Sequence, residues 1–169
     1  AILHDFNKFL KRFETPKPSL KMINFLLFDH IGGLNTLFHS LFNKGTVVSL
    51  TSRRVEEVLE VCSKYKVEVL PTTPTFLRML LISELIPKKI PSSLKIITYG
   101  TERMDQNTLN QLCKLMPQVD FRQTYGMSEI GILRVKSKAR NSLYIKIGGE
   151  GIKTRIKNDV LEIFSETRM

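Results

Sequence analysis

The sequence predicts an α/β fold: a mostly parallel sheet with helices on both faces, followed by a small, incomplete antiparallel β region. Short apolar segments of strand length alternate with segments of ten or so residues whose apolar positions recur at helical spacing. Such alternation is typical of βαβ units, whose right-handed crossovers place helices against the sheet. From residue 143 onward the period is two, which favours antiparallel strands.

Five segments carry the helical spacing, and several have residues that favour a helix end. Asp5, Thr73 and Asp105 precede their stripes as candidate N-caps, and Pro74 falls at the first helical position after Thr73. Gly45 is placed to end the second helix. The predicted helical stripes are residues 6–13, 34–42, 55–65, 76–81 and 109–116.

The strand-like segments lie between these stripes, and a hairpin follows them. The predicted parallel strands are residues 23–28, 46–50, 67–70, 94–98 and 119–124. Residues 152–157 alternate, Asn158 and Asp159 form a natural two-residue turn, and residues 161–164 return. We therefore predict an α/β part over residues 1–141 and the start of an antiparallel part over residues 142–169.

Composition places the chain among globular proteins. It has 169 residues, of which 42% are hydrophobic and 25% charged, enough for one domain with a core. No apolar run approaches the length of a membrane span, so no transmembrane segment is expected. Cys62 and Cys113 lie on predicted apolar stripes, which favours buried thiols in a reducing, cytoplasmic compartment over a disulfide or a metal site.

The chain is basic, with a formal net charge of +10. Such a charge suits nucleic acid, an anionic membrane surface or a phosphate-rich ligand. Because most lysines are scattered along the sequence, we interpret the excess of positive charge as a solvated surface. Arg134, Lys136, Lys138 and Arg140 alternate, and an extended chain would put them on one basic face; solvation there is favoured over binding of phosphate.

Residues 121–129 (FRQTYGMSE) carry the main candidate site. A strand-like run stops at Tyr125 and Gly126, and Gly126 can adopt backbone angles that a side chain would forbid or allow a ligand to approach closely. An aromatic ring, the Ser128 hydroxyl and the Glu129 carboxylate can stack a base, meet a phosphate and hold a metal. Ligands of open α/β sheets bind beyond the carboxyl ends of strands. An ordinary strand-to-helix turn with Ser128 as N-cap is the alternative.

The run from Gln123 to Glu129 closely resembles the Q-G-Y-G-M-T-E motif of the adenylate-forming, or AMP-binding, enzyme superfamily. This superfamily contains acyl-CoA synthetases, luciferases and the adenylation domains of peptide synthetases. Thr124 stands where the motif has Gly, and Ser128 where it has Thr.

The resemblance extends over nearly the whole chain. Residues 98–104 resemble the family's adenine-side turn S-G-G-A-P-L, with Thr101 and Glu102 in place of Gly and Ala. His30 matches a histidine or aromatic residue that lines the family's acyl pocket, with a satisfied loop histidine as the alternative, and His4 matches a histidine beyond its phosphate loop. Residues 70–74 and, loosely, residues 147–151 resemble two further family segments.

The resemblance implies an ATP-dependent ligase that uses ATP, Mg²⁺ and coenzyme A. A carboxylic acid, expected to be fatty or otherwise hydrophobic, would form an acyl-adenylate and then pass to the thiol. Transfer to an acyl carrier protein is the alternative within this family. Outside it, a non-catalytic module that binds anions or nucleic acid through residues 134–140 is the competing hypothesis, although no nucleic-acid partner is expected.

The resemblance also assigns roles to single residues. Tyr125 would stack on adenine, Ser128 would contact the α-phosphate, and Glu129 would hold Mg²⁺, so Ser128 and Glu129 are the predicted catalytic residues. The predicted nucleotide-binding residues are Thr101, Glu102, Arg103, Gln123, Thr124, Tyr125, Gly126, Met127 and Ser128. The predicted acyl-pocket residues are His30, Gly100 and Met127.

Three functional elements of the family have no counterpart in residues 1–169. The phosphate loop is expected before Ala1, and the ribose-binding aspartate and catalytic lysine beyond Met169. We therefore expect that these residues alone form no adenylate.

Overall fold

The computed structural model describes residue 10 and residues 13–166. Its main feature is a five-stranded sheet of order β2-β1-β3-β4-β5, in which every pairing is parallel. The strands are β1 (Lys21–Asn24), β2 (Thr46–Ser49), β3 (Val69–Thr72), β4 (Ile96–Tyr99) and β5 (Asp120–Gln123). The strand order reverses at β1, and in such sheets ligands bind near the reversal, beyond the carboxyl ends of the strands.

Five helices connect the strands. They are α1 (Ile31–Phe42), α2 (Val55–Tyr65), α3 (Pro74–Ile82), α4 (Ile86–Lys89) and α5 (Gln106–Leu115). The one-turn helix α4 is not among the predicted helices. It has a proline in its first turn, where a proline costs no hydrogen bond. The predicted helix over residues 6–13 lies for the most part outside the described residues, as does His4.

The main hydrophobic core occupies one face of the sheet. Ile23, Leu70, Ile97 and Phe121 come from four neighbouring strands and are at most 3% exposed. They pack in one cluster with apolar residues of α2, α3 and α5. Strand alternation sends Met22, Val69 and Ile96 to the opposite face, where α1 packs against β1 and β2. The predicted parallel sheet with helices on both faces is confirmed.

Side-chain caps fix the starts of the helices that border the site. Thr73 Oγ1 accepts a hydrogen bond from the Phe76 backbone N–H (3.2 Å), and Asp105 Oδ1 accepts one from the Thr108 backbone N–H (2.8 Å). The bonds from Thr108 hold the pKa of the Asp105 carboxyl below its usual value. These two of the three predicted caps are confirmed, and the third, Asp5, lies outside the described residues.

The end of α1 differs from the expectation. Lys44, and not Gly45, takes the left-handed conformation there (φ 53°). Gly45 instead donates its N–H to the Ser40 carbonyl (2.8 Å) and lies against the backbone of Leu20.

Antiparallel strands follow the parallel sheet. They are β6 (Tyr125–Met127), β7 (Gly131–Ser137), β8 (Ile145–Gly148), β9 (Ile152–Lys157) and β10 (Val160–Ser165). Asn158 and Asp159 both have positive φ (50° and 60°) and form the predicted two-residue hairpin turn between β9 and β10. Antiparallel pairing begins at Tyr125, before the division that we predicted at residue 141, and this domain division stays a prediction.

Both cysteines are free and buried, as predicted. Burial raises the pKa of the Cys62 thiol to about 12, so the thiolate that reacts is suppressed at neutral pH. Within residues 13–166, no helix combines the length and the apolar character that crossing a bilayer requires.

Arg140 does not lie on the basic face that we predicted for residues 134–140. β7 ends at Ser137, and the Arg140 guanidinium turns back to the segment that joins α5 to β5. Its nitrogens donate hydrogen bonds to the carbonyl oxygens of Cys113 (2.7 Å), Met116 (3.2 Å), Pro117 (2.8 Å) and Val119 (2.9 Å). A cation at a helix C-terminus also interacts favourably with the helix dipole. Arg140 therefore stabilises the segment that precedes β5, the strand that leads into the candidate site.

Replacing Arg140 with Ala should lower the free energy of unfolding by about 2 kcal/mol, because half-buried carbonyl oxygens lose a charged donor. Urea denaturation measures this value. The exposed Lys138 is the matched control, and Lys138→Ala should change stability by less than about 0.5 kcal/mol. Equal stability of the two variants would show that Arg140 has no such role.

Candidate functional site

The candidate site lies where β4 and β5 end side by side. The Tyr99 carbonyl oxygen accepts hydrogen bonds from both the Thr124 backbone N–H (2.7 Å) and the Thr124 hydroxyl (3.1 Å). Gly100 lies directly against Thr124, since a Cβ on Gly100 would stand 2.2 Å from Thr124 Oγ1. The two segments singled out in the sequence, residues 98–104 and 121–129, are thus brought together.

A hairpin carries the residues that follow Thr124. β6 pairs with β7 through a loop of Ser128, Glu129 and Ile130, and the Ile130 N–H bonds to the Met127 carbonyl (3.3 Å). Gly131 closes the loop in the left-handed conformation (φ 68°), which is usual for three-residue hairpin loops. Since a strand follows Ser128, the alternative of a strand-to-helix turn is wrong.

Gly126 is required for space rather than for unusual backbone angles. Its φ is not positive, so the angular role considered for it is wrong. A Cβ at this position would stand 2.6 Å from the Gly131 carbonyl oxygen and 2.8 Å from Ile132 Cα. Gly126 therefore lets β6 lie close against β7.

The predicted catalytic and stacking residues are accessible. Tyr125 is half-buried opposite Leu133, whereas Met127, Ser128 and Glu129 are exposed around the loop. Among the residues that the structure describes, no ion pair involves Glu129. An accessible carboxylate of this kind could hold Mg²⁺, which is usually bound by one or two carboxylates together with substrate phosphates.

A cavity of about 400 Å³ opens beside these segments, between α1 and the sheet. The end of the cavity nearest these segments is lined by Gly100, Thr101 and Thr124, and we call this end the mouth. Its walls are mostly apolar and include Met22, Leu26, Val69, Pro71, Ile96 and Ile132. The volume and the apolar character are those of a small-molecule site.

One of the three predicted acyl-pocket residues lines this cavity, and the pocket roles of the other two stay predictions. Gly100 is at the cavity mouth, but His30 and Met127 are not among the lining residues. His30 is the N-cap of α1: its Nδ1 accepts a hydrogen bond from the Gly32 N–H (3.1 Å). Gly32 and Thr36 of the same helix line the cavity instead.

His39 of α1 also lines this cavity. It also lines a second, more polar cavity of about 770 Å³ between α1 and the antiparallel strands, together with Lys17 and Asn35. Burial, and then the charge of Lys17, lower the pKa of His39, which favours the neutral ring at pH 7.

The adenine-side turn is shaped by Thr101 and Glu102. Thr101 has φ 68°, a conformation that a β-branched residue adopts only at a cost. Glu102 directs its carboxylate toward α3, where Oε2 accepts a hydrogen bond from the Thr75 N–H (3.1 Å). Arg103 is exposed. Gln123 Oε1 is buried and has no hydrogen-bond partner in the described part of the chain.

Sequence reasoning missed the side chains of the cavity wall. Thr98, Arg122, Asn35 and Thr36 line the cavity, and none was a candidate. The alternation of β4 and β5 could have indicated Thr98 and Arg122, since they lie on the face opposite Ile97 and Phe121. No pattern in the sequence shows that this face stays open.

Comparison with known proteins identifies the family. The family model described as AMP-binding enzyme matches residues 3–158. The chain belongs to this AMP-binding enzyme family. The predicted membership is confirmed.

Curated relatives of this AMP-binding chain are ligases. Acyl-CoA synthetase 7 of Caenorhabditis elegans is 29% identical over 108 residues, 64% of this chain and 20% of the relative. 4-Coumarate-CoA ligase 1 of Narcissus pseudonarcissus is 25% identical over 137 residues, 79% of this chain and 25% of the relative. The chain thus spans about a quarter of the length of these relatives or less.

Solved structures share the fold. The luciferase-like enzyme of the nonluminescent Zophobas morio mealworm matches with a TM-score of 0.71 and 27% identity, over 79% of this chain and 32% of that one. The anthranilate CoA ligase AuaEII, solved with anthranoyl-AMP, matches with a TM-score of 0.76 at 15% identity, over 95% of this chain and 35% of that one. The second likeness shows the fold alone.

The close approach at Gly126 gives a direct test of the hairpin. Gly126→Ala should destabilise the AMP-binding chain by roughly 1–3 kcal/mol, because the new Cβ meets backbone atoms that cannot rotate away. Gly148 on β8 is the matched control, since a Cβ there would meet no atom within 4 Å. Thermal unfolding of both variants measures the effect, and equal melting temperatures would contradict the strand spacing described here.

Proposed function

We propose that this chain is part of an ATP-dependent, AMP-forming acid–thiol ligase. In the first step, a carboxylate oxygen of the acid attacks the α-phosphorus of ATP, and pyrophosphate leaves. In the second step, a thiol attacks the acyl carbon, and AMP leaves. Coenzyme A is the proposed thiol, and a carrier protein is the alternative.

One observation supports the proposal most strongly. The two segments to which the family resemblance assigns nucleotide contacts meet through Tyr99, Gly100 and Thr124, at the mouth of an apolar cavity. A ligase of this kind must hold a carboxylate and an α-phosphate within reach of each other, since positioning and charge stabilisation provide most of the catalysis.

Three residues of the hairpin have proposed nucleotide roles. The half-buried Tyr125 offers a ring on which adenine can stack. The exposed Ser128 hydroxyl can donate a hydrogen bond to an α-phosphate oxygen. Glu129 would hold Mg²⁺, which would neutralise phosphate charge when bound.

The cavity is the proposed site for the body of the acid. Its mostly apolar wall favours a fatty or other hydrophobic acid, with the carboxylate directed outward to the mouth. His39, Lys17 and Asn35, which also line the cavity, would tolerate a polar group on the acid. The neutral state that burial favours for His39 suits an uncharged group there.

The competing anion-binding module has less support. Arg140, one of four residues of the basic stripe, directs its guanidinium to four carbonyl oxygens of the protein itself. That hydrogen bonding leaves Arg134, Lys136 and Lys138 as the exposed cations of the stripe.

Calorimetric titration with an acyl sulfamoyl-adenosine, a stable analogue of an acyl-adenylate, tests the proposal. We expect binding at one site, with competition from ATP. Tyr125→Ala should weaken binding at least about tenfold, because base stacking on an aromatic ring is lost. Tyr144→Ala is the matched control, since Tyr144 is 86% exposed and lies outside the site.

A cavity-filling variant distinguishes binding of the acid from binding of the nucleotide. Thr98→Phe should weaken binding of the acyl analogue but not of AMP, because Thr98 lines the cavity wall and not its mouth. Binding that falls steeply with salt and shows no preference for the adenylate over nucleic acid would instead support the anion-binding module.

A further inference from the structure

The turn between β4 and α5 is held in an unfavourable backbone conformation. It contains Thr101 at φ 68°, and a β-branched side chain crowds its own backbone there. Such residues persist where surrounding contacts over-determine the conformation, and they cluster at functional sites. The turn borders the cavity mouth through Gly100 and Thr101.

Glu102 connects this turn to the start of α3 through hydrogen bonds. Its Oε2 accepts hydrogen bonds from the Thr75 backbone N–H (3.1 Å) and from the Thr75 hydroxyl. The Thr75 N–H is one of the amides at the helix N-terminus that lack an intrahelical partner, and a carboxylate is favoured at this end of the helix dipole. This interaction therefore joins the loops that follow two adjacent strands, β3 and β4.

Arg78 connects both ends of the turn. Its guanidinium donates to Thr75 Oγ1 (3.0 Å) and pairs with Glu102 Oε2 (3.4 Å). It also approaches Asp105 Oδ2 (3.9 Å), and Asp105 is the N-cap of α5. One cation on α3 is thus shared by the carboxylates at the start and at the end of the segment 102–105.

We propose that Glu102 and Arg78 are positioning residues that keep the strained Thr101 turn in the conformation in which its backbone meets the nucleotide. The nucleotide part of this inference rests on the proposed function. Glu102 then acts through Thr101 rather than by touching the nucleotide with its carboxylate. An isolated glutamate–arginine pair as exposed as this one contributes little to overall stability, so its effect should be local.

The test combines amide hydrogen exchange without ligand and calorimetric titration with AMP. In Glu102→Ala, exchange of the Thr75 amide, whose N–H bonds to the Glu102 carboxylate, should accelerate at least about tenfold, while that of the core strands is unchanged. Arg78→Ala should act likewise and also accelerate the first turn of α5. Glu57→Ala, which removes another exposed ion pair, with Arg54, should leave exchange of the Thr75 amide unaffected.

A rescue experiment identifies strain as the cause. Glycine adopts positive φ without crowding, so Thr101→Gly in the Glu102→Ala background should restore AMP affinity to within about twofold of the unaltered chain. If the Glu102 carboxylate instead touched the nucleotide directly, Thr101→Gly would leave the affinity low. Equal rescue by Thr101→Ala would overturn the role of strain.

The exchange and titration measurements distinguish a failure of this inference from a failure of the proposed function. Unchanged amide exchange in Glu102→Ala overturns the positioning role, whatever the affinity for AMP. Faster exchange with unchanged AMP affinity also overturns it. If the unaltered chain binds no AMP, the proposed function is wrong, and the exchange measurements still decide whether Glu102 and Arg78 hold the turn.

Discussion

Two hydrogen bonds from Thr124 to the carbonyl oxygen of Tyr99 bind the ends of β4 and β5 to each other. Every proposed role in the site depends on this junction, because each strand delivers one of the two segments. Gly100 makes the junction possible, since any side chain there would collide with Thr124. Thr124 replaces a glycine of the family motif, and its hydroxyl adds the second bond. The junction therefore has one hydrogen bond more than a glycine at position 124 could provide.

The local signals in the sequence were sufficient for most of the fold. Helical and strand periods located the main elements, and short-range chemistry fixed their ends at Thr73, Asp105 and the Asn158–Asp159 turn. These features depend on residues within a few positions of each other, so one sequence can show them. The family motif could likewise be recognised, because its seven residues are contiguous.

Long-range interactions account for what sequence reasoning missed. Arg140 reaches carbonyl oxygens more than twenty positions earlier, and Glu102 reaches Thr75 across 27 positions. Neither partner is marked by any local pattern. His30 is a different case: its Nδ1 caps α1 through the Gly32 N–H, a contact that the family position does not indicate, and its pocket role stays a prediction. A residue carried over from a family thus needs its own contacts before it is given a role.

The central claim is that adenine nucleotide binds where β4 and β5 end. Titrating the ¹⁵N-labelled chain with AMP and following its amide resonances tests this claim most directly. The account predicts that the largest changes fall on Gly100, Thr101, Tyr125 and Gly126. Changes confined to Arg134 and Lys136, or none at all up to millimolar AMP, would contradict it.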